Sequence, residues 1–299
     1  RFGFFPSVAI GWVISNETFF EPVKPVLNTF KFRISDGTVG SDAGIDRWLY
    51  AEGWIVHKPT DGVQSISYFG SPYVQRSYPY RYLGAIANPD IHWEVSRKRD
   101  FGLETGFFNN MLKINFDYFM ENRTDMFVVA SDRVEPDYFG ADPISANIGA
   151  ANVHGWEIET EFVKKFTNGF TFWASHAWAY AYDKIIAKGD PELKPEYQKF
   201  AGYQINQPRV ILNQGPNSVI NTWNELYNCA PGNVNKNMLL PGDFMRIDFS
   251  CDGIIDRYDN VPYGFPSRPQ YSYAPAMGIS YKNISAQVRF YGVYNVEGS

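Results

Sequence analysis

The sequence predicts an all-β chain, an antiparallel transmembrane β-barrel segment of about eight spanning strands with long extracellular loops. Three observations predict it. Apolar and polar residues alternate over runs well past ten residues, whereas strands of soluble domains average about five or six. Aromatic residues reach 17%, with 24 Phe, 20 Tyr and 8 Trp, enough to furnish interfacial girdles. Short and long connections alternate along the chain, which sorts the long ones to one end of the sheet.

The spanning strands are expected near residues 2–14, 27–39, 92–107, 111–130, 152–167, 170–187, 270–282 and 284–295. The first opens in RFGFFPSVAIGW. In MLKINFDYFME, Leu112, Ile114, Phe116, Tyr118 and Met120 share a face, and Lys113, Asn115, Asp117 and Glu121 share the other. Phe119 breaks the pattern. Trp156, Ile158 and Phe162 then oppose Glu157, Glu159 and Glu161. Phe170, Phe172, Trp178, Tyr180 and Tyr182 oppose Thr171, Ser175, Ala177, Ala179, Ala181 and Asp183. In the last run Ile284, Ala286, Val288, Phe290 and Tyr294 oppose Ser285, Gln287, Arg289 and Asn295.

Asn109-Asn110, Asn168-Gly169 and Lys282-Asn283 mark tight turns, because Asn and Gly tolerate positive φ. The middling link 15–26 falls on their side. The long connections 40–91, 131–151 and 188–269 fall on the other. A large soluble β-sandwich or β-helix is the competing fold, but it has no reason to sort its loops this way.

Composition removes several classes. Charged residues make up only 20%, too few beside so many aromatics for a disordered chain. A net charge of −5 carries no nucleic-acid signature. Two cysteines are too few for a disulfide scaffold. No run approaches the roughly 18 apolar residues of a transmembrane helix. The chain enters a strand directly at Arg1 and stops just after another at Ser299, so an internal piece of a longer protein is expected. A mature, signal-cleaved soluble protein is the alternative.

One stretch carries site chemistry. In DFSCDGIIDRYD, Asp248, Ser250, Asp252, Gly253, Ile254, Asp256 and Asp259 fall at positions 1, 3, 5, 6, 7, 9 and 12 of an EF-hand-type loop. Hard oxygen ligands converge there because the backbone curls at the glycine. The expected ligands are the side chains of Asp248, Ser250, Asp252, Asp256 and Asp259 with the carbonyl of Ile254. The expected ion is Ca²⁺, with Mg²⁺ as second choice. Ser250 is a weak ligand, and Asp259 is shorter than the usual Glu. Cys251 should not ligate. An acidic turn without metal is the other reading, and the role in either case is structural.

Other chemistry is thin. His57, His92, His154 and His176 show no metal spacing. Glu157, Glu159 and Glu161 lie about 7 Å apart along one strand face, which suits an inverting glycosidase pair only superficially. A hydrated lumen explains them better. Cys229 and Cys251 either pair or stay as thiols. Aromatics crowd the loops at Trp48, Tyr50 and Trp54, at Tyr68, Phe69, Tyr73, Tyr78, Tyr80 and Tyr82, and at Tyr197, Tyr203 and Trp223. They suit sugar stacking, loop packing or a lid contact.

Several separated segments resemble the SusC/RagA family of TonB-dependent outer-membrane transporters from Bacteroidetes. They are RFGFFPSVAIGWVISNETFF, LNTFKFRISDGTVGSD, NPDIHWEVSRKRDFGLETGFFNNMLKINFDYFMENRTDMF, NIGAANVHGWEIETEF, PGDFMRIDFSCDGIIDRYDNVPYGFPSRPQYSYA and ISYKNISAQVRFYG, in the family's order. The resemblance implies a barrel of about 22 strands closed by a plug that is absent here. It implies the periplasmic partner TonB, a SusD-like surface lipoprotein as lid, outer-membrane lipid around the wall, and oligosaccharide or peptide cargo. The family stretch matching 248–259 commonly reads like DVNGDGVIDDND, which supports the cation loop. Where many relatives read something like SYGQTGN, this chain reads SDGTVGS. The implied role is nutrient import without bond chemistry. A secreted soluble β-rich carbohydrate-binding protein or enzyme with a calcium loop is the second reading, and a siderophore or cobalamin receptor is the third.

Overall fold

The computed structural model describes residues 2–45, 47–57, 67–71, 74–78, 80–133, 143–215, 218–232 and 239–297. Its main element is a nine-stranded antiparallel sheet. The strands are β1 (Ser7–Val13), β2 (Leu27–Ser41), β3 (Glu94–Phe107), β4 (Leu112–Val128), β5 (Ala146–Lys165), β6 (Phe170–Ala187), β7 (Tyr271–Tyr281), β8 (Ile284–Arg289) and β9 (Gly292–Tyr294). They pair in sequence order from β1 to β8, and β9 pairs with β7. Every pairing is antiparallel, an up-and-down meander.

Register puts the alternating residues into continuous rows. One row on the apolar face reads Trp12, Phe32, Leu103, Phe116, Ile158, Trp178, Tyr273. The next reads Ile10, Ile34, Phe101, Tyr118, Trp156, Tyr180, Tyr271, Tyr294. Their rings pack edge to face or tilted, Trp156 against Trp178 at 5.0 Å and Tyr180 against Tyr271 at 4.6 Å. The opposite face carries Lys31, Glu104, Asn115, Glu159, Ala177 and Ala274 in one row.

Among the described residues, no second layer covers the apolar face. Phe116 is 37% exposed, Trp178 42% and Ile279 45%. Among the described residues, the buried apolar side chains are only Phe20, Val128, Ala151, Ile185, Ile220, Ile255 and Val261. A sandwich of this size would bury whole rows of its inner faces. This sheet exposes them, as a wall between lipid and lumen does.

The tight turns gather at one end. Phe108, Asn109 and Asn110 all have positive φ, and the Asn28 side chain accepts the Asn109 and Asn110 N–H groups. Gly169 (φ 83°) and Lys282 (φ 51°) close the other two. The link 14–26 forms two 3₁₀ turns and buries Phe20, stacked on Phe30 at 5.9 Å.

Boundaries differ from expectation where proline or pairing intervenes. β1 starts at Ser7, because Pro6 has no N–H for the ladder and only its carbonyl is used, by Thr38 N–H at 2.9 Å. Pro275 likewise accepts from Phe290 N–H but returns no donor, which splits the expected last strand into β8 and β9. β5 begins at Ala146, six residues earlier than expected, because Ala146 and Asn147 still pair with Val128 and Phe127 of β4. Phe119, the apolar exception in its run, lies on the wet side between Asp100 and Gly155. Gly155 sits opposite it, and a Cβ there would meet the Phe119 ring and the Tyr180 carbonyl. The missing side chain seats the ring.

Candidate functional site

The wet face and the connections at its open end form the candidate site. Arg33 of β2 is its hub. It bonds Asp100 at 3.3 Å, lies 3.3 Å from Glu104, and reaches across β3 to Asp117 of β4. Lys31 bonds Glu104 at 3.0 Å, and Lys113 bonds Glu161 at 3.1 Å. Arg33, Gly102 and Asp117 stand in one register row, so the guanidinium spans two strand spacings only because Gly102 has no side chain beneath it. Gly102→Val should therefore push Arg33 off Asp117 and cost about 1–3 kcal/mol. In the Arg33→Ala background the same change should cost far less. Urea unfolding of the double-mutant cycle measures that coupling.

The described parts of 188–269 form a packed unit rather than an open loop. Asp190 accepts the Phe200 and Ala201 N–H groups, and Asp183 accepts that of Ile205. The Arg209 guanidinium donates to the Tyr197 and Lys199 carbonyls and lies 5.0 Å from the Phe200 ring centre. Burial lowers its pKa from the usual arginine range. Gln270 donates to Gln204 and accepts from Asn295, tying this unit to the sheet. A short helix, Trp223–Asn228, is capped by the Thr222 side chain.

Within the unit, residues 248–259 curl as their spacing predicts. Asp248 Oδ2 accepts the Gly253 N–H at 2.7 Å, Gly253 has φ 87°, and Ser250 Oγ donates to Asp248 Oδ1. Asp252 accepts the Ile254 N–H, and Asp256 caps the turn Arg257–Asp259 through the Tyr258 N–H. Asp259 behaves differently from a ligand. It is fully buried and accepts the N–H groups of Phe249, Ser250 and Asp256. Burial pushes its carboxyl up, but these hydrogen bonds outweigh it and hold the pKa below the usual carboxylate range. Among the described residues no three His, Cys, Asp or Glu side chains gather closely enough to hold a metal ion. A cage that includes Asp259 does not fit this conformation. Asp248, Ser250, Asp252, Asp256 and the Ile254 carbonyl are the groups left to meet a cation.

Cys229 and Cys251 are free thiols. Trp48, Tyr50 and Trp54 are exposed, and the first two line a cavity of about 690 Å³ with Asp42, Arg47, His92 and Trp93. Tyr68, Phe69 and Tyr78 lie on one paired hairpin, and Tyr80 and Tyr82 pair with the strand Gly53–His57. Tyr73 lies outside the described residues. The Arg33 hub was not singled out in the sequence. Its signal was there, in charged residues at the wet-face positions of three successive strands.

Residues 49–296 match the family model described as TonB dependent receptor-like, beta-barrel. The chain belongs to that family. Its relatives include TonB-dependent receptor P26 of Formosa agariphila, 24% identical over 99% of this chain and 29% of the relative. TonB-dependent receptor SusC of Bacteroides thetaiotaomicron is 25% identical over 89% of this chain and 25% of the relative. The chain thus spans under a third of the length of these TonB-dependent receptors. The structure of the RagAB peptide importer in the 'open-open' state superposes with a TM-score of 0.68 at 18% identity, over 98% of this chain and 28% of that one. The RagAB peptide transporter gives 0.64 at 17% identity, over 97% and 29%. The sheet is therefore a segment of a TonB-dependent receptor barrel, its apolar rows on the lipid side and the Arg33 hub on the luminal side.

Proposed function

We propose that this chain forms part of the wall and external loops of an outer-membrane nutrient importer, energised through TonB and closed by a SusD-like surface lipoprotein. It performs selective binding and passage, not bond chemistry. The observation that carries this reading is the two-faced sheet, whose strands from β3 to β9 lie within a TonB-dependent receptor-like match that covers most of the chain. A charged, hydrated inner wall and packed external loops suit the passage of large polar cargo, oligosaccharide or peptide. Deleting the gene should abolish growth on one of these classes as sole nutrient, and the intact gene should restore it. Loss of chelated-iron or cobalamin uptake alone would instead favour the other kind of receptor.

Calcium, with magnesium as second choice, is a separate proposal for residues 248–259. It is supported by the twelve-residue spacing and the Asp248–Gly253 curl. Elemental analysis of the dialysed receptor should find a bound ion that Asp248→Ala releases. Absence of any ion after incubation at about millimolar Ca²⁺ would end the proposal.

A further inference from the structure

Above the aromatic rows, the lipid-side face changes character within one register step. The next row reads Val8, Asp36, Arg99, Met120, His154, Tyr182, and the one after it Thr38, Arg97, Asn122, Asn152, Lys184. These rows carry the cations Arg97, Arg99 and Lys184 against the single anion Asp36. The Asp36 carboxylate is shared by two guanidiniums. Arg97 Nε and Nη2 reach it at 3.0 and 2.8 Å, and Arg99 Nε at 3.1 Å. One positive charge is left over at this triad. Arg97 remains half exposed, at 50% of its side chain, and Arg99 at 38%.

Height decides what the triad meets. Phe107 marks the tight-turn end of β3, and Arg97 stands ten residues above it on the same face. At about 3.4 Å per residue and a tilt of about 40°, that climb is about 26 Å, against an apolar band of about 25 Å. Arginine at mid-membrane would be strongly unfavourable. At the outer edge of the band it lies level with headgroups, where guanidinium geometry suits phosphate oxygens. Lys184 stands three strand spacings away, about 14 Å along the same rim.

We propose that this rim binds phosphate-bearing lipid headgroups of the outer leaflet, through Arg97 and Arg99, with Lys184 extending the site. The proposal goes beyond import and rests on this face meeting lipid. Asp36 is the built-in competitor: it pre-orients both guanidiniums and lowers their joint charge to a single unit.

The test uses the complete receptor in phosphatidylcholine nanodiscs doped with phosphatidic acid, with co-released lipid counted by native mass spectrometry. Asp36→Asn should hold phosphatidic acid about five-fold more tightly, because one competing charge is gone. The neutral triple variant Asp36→Asn, Arg97→Gln, Arg99→Gln should hold it about five-fold less tightly than wild type, with phosphatidylcholine retention unchanged. Heat-modifiable migration on the same samples reports the folded barrel separately, so a lost barrel is not mistaken for a lost lipid. Equal phosphatidic acid retention by wild type and a folded triple variant would overturn the proposal, as would weaker retention by Asp36→Asn.

Discussion

Phe116→Arg should cost about 2–4 kcal/mol and reduce the fraction of receptor that inserts, whereas Asn115→Arg should change stability by less than about 1 kcal/mol. The two positions are neighbours in β4, and neither is buried in this segment: Phe116 is 37% exposed and Asn115 is half-buried. The medium each side chain enters sets the difference expected between them. Phe116 lies mid-row between Leu103 and Ile158 on the lipid side, while Asn115 lies between Glu104 and Glu159 on the luminal side. Urea unfolding from lipid vesicles measures both.

Asp259→Ala should open the 248–260 segment locally by about 3–5 kcal/mol, read as faster amide exchange at Phe249, Ser250 and Asp256. Three backbone donors lose a charged acceptor at a fully buried position. The same bonds set a pH dependence. Burial alone would raise the Asp259 pKa, but the net shift is downward, so the folded carboxyl is the stronger acid. Its stabilisation is complete above the unfolded value near 3.9 and is lost as pH falls through the lower folded value. Exchange-derived opening free energies should be flat from about pH 7 to 5 and fall only at more acidic pH. Asp259→Ala should flatten that acid limb.

Much of this fold was legible because strand parity is a strict code. A residue's face follows from its odd or even position, so Phe116, Ile158 and Trp178 declared their side before any pairing was known. Loop sorting followed from turn chemistry at Asn109, Gly169 and Lys282. What parity cannot show is which strands meet at which height. The Arg33–Asp117 bridge needs β2, β3 and β4 in one register with Gly102 between them. The Asp36–Arg97–Arg99 triad likewise exists only once β2 and β3 are aligned. In the twelve-residue loop, spacing marked Gly253 as the point of the curl, and the backbone turns there. It did not reveal that Asp259 is occupied by backbone donors, because that depends on how tightly the turn folds back. The packing of the described parts of 188–269 was hidden for a similar reason. Its Gly, Pro and Asn content signals turns, and the contacts that fix them, such as Arg209 on Phe200, are not periodic.

The most direct test is a spin-label scan of residues 112–118 in the lipid-reconstituted receptor, with Cys229 and Cys251 replaced by serine. Labels at 112, 114, 116 and 118 should relax with lipid-dissolved oxygen, and labels at 113, 115 and 117 with a water-soluble nickel complex. Even-numbered labels shielded from both agents would place that face against protein and contradict the barrel wall.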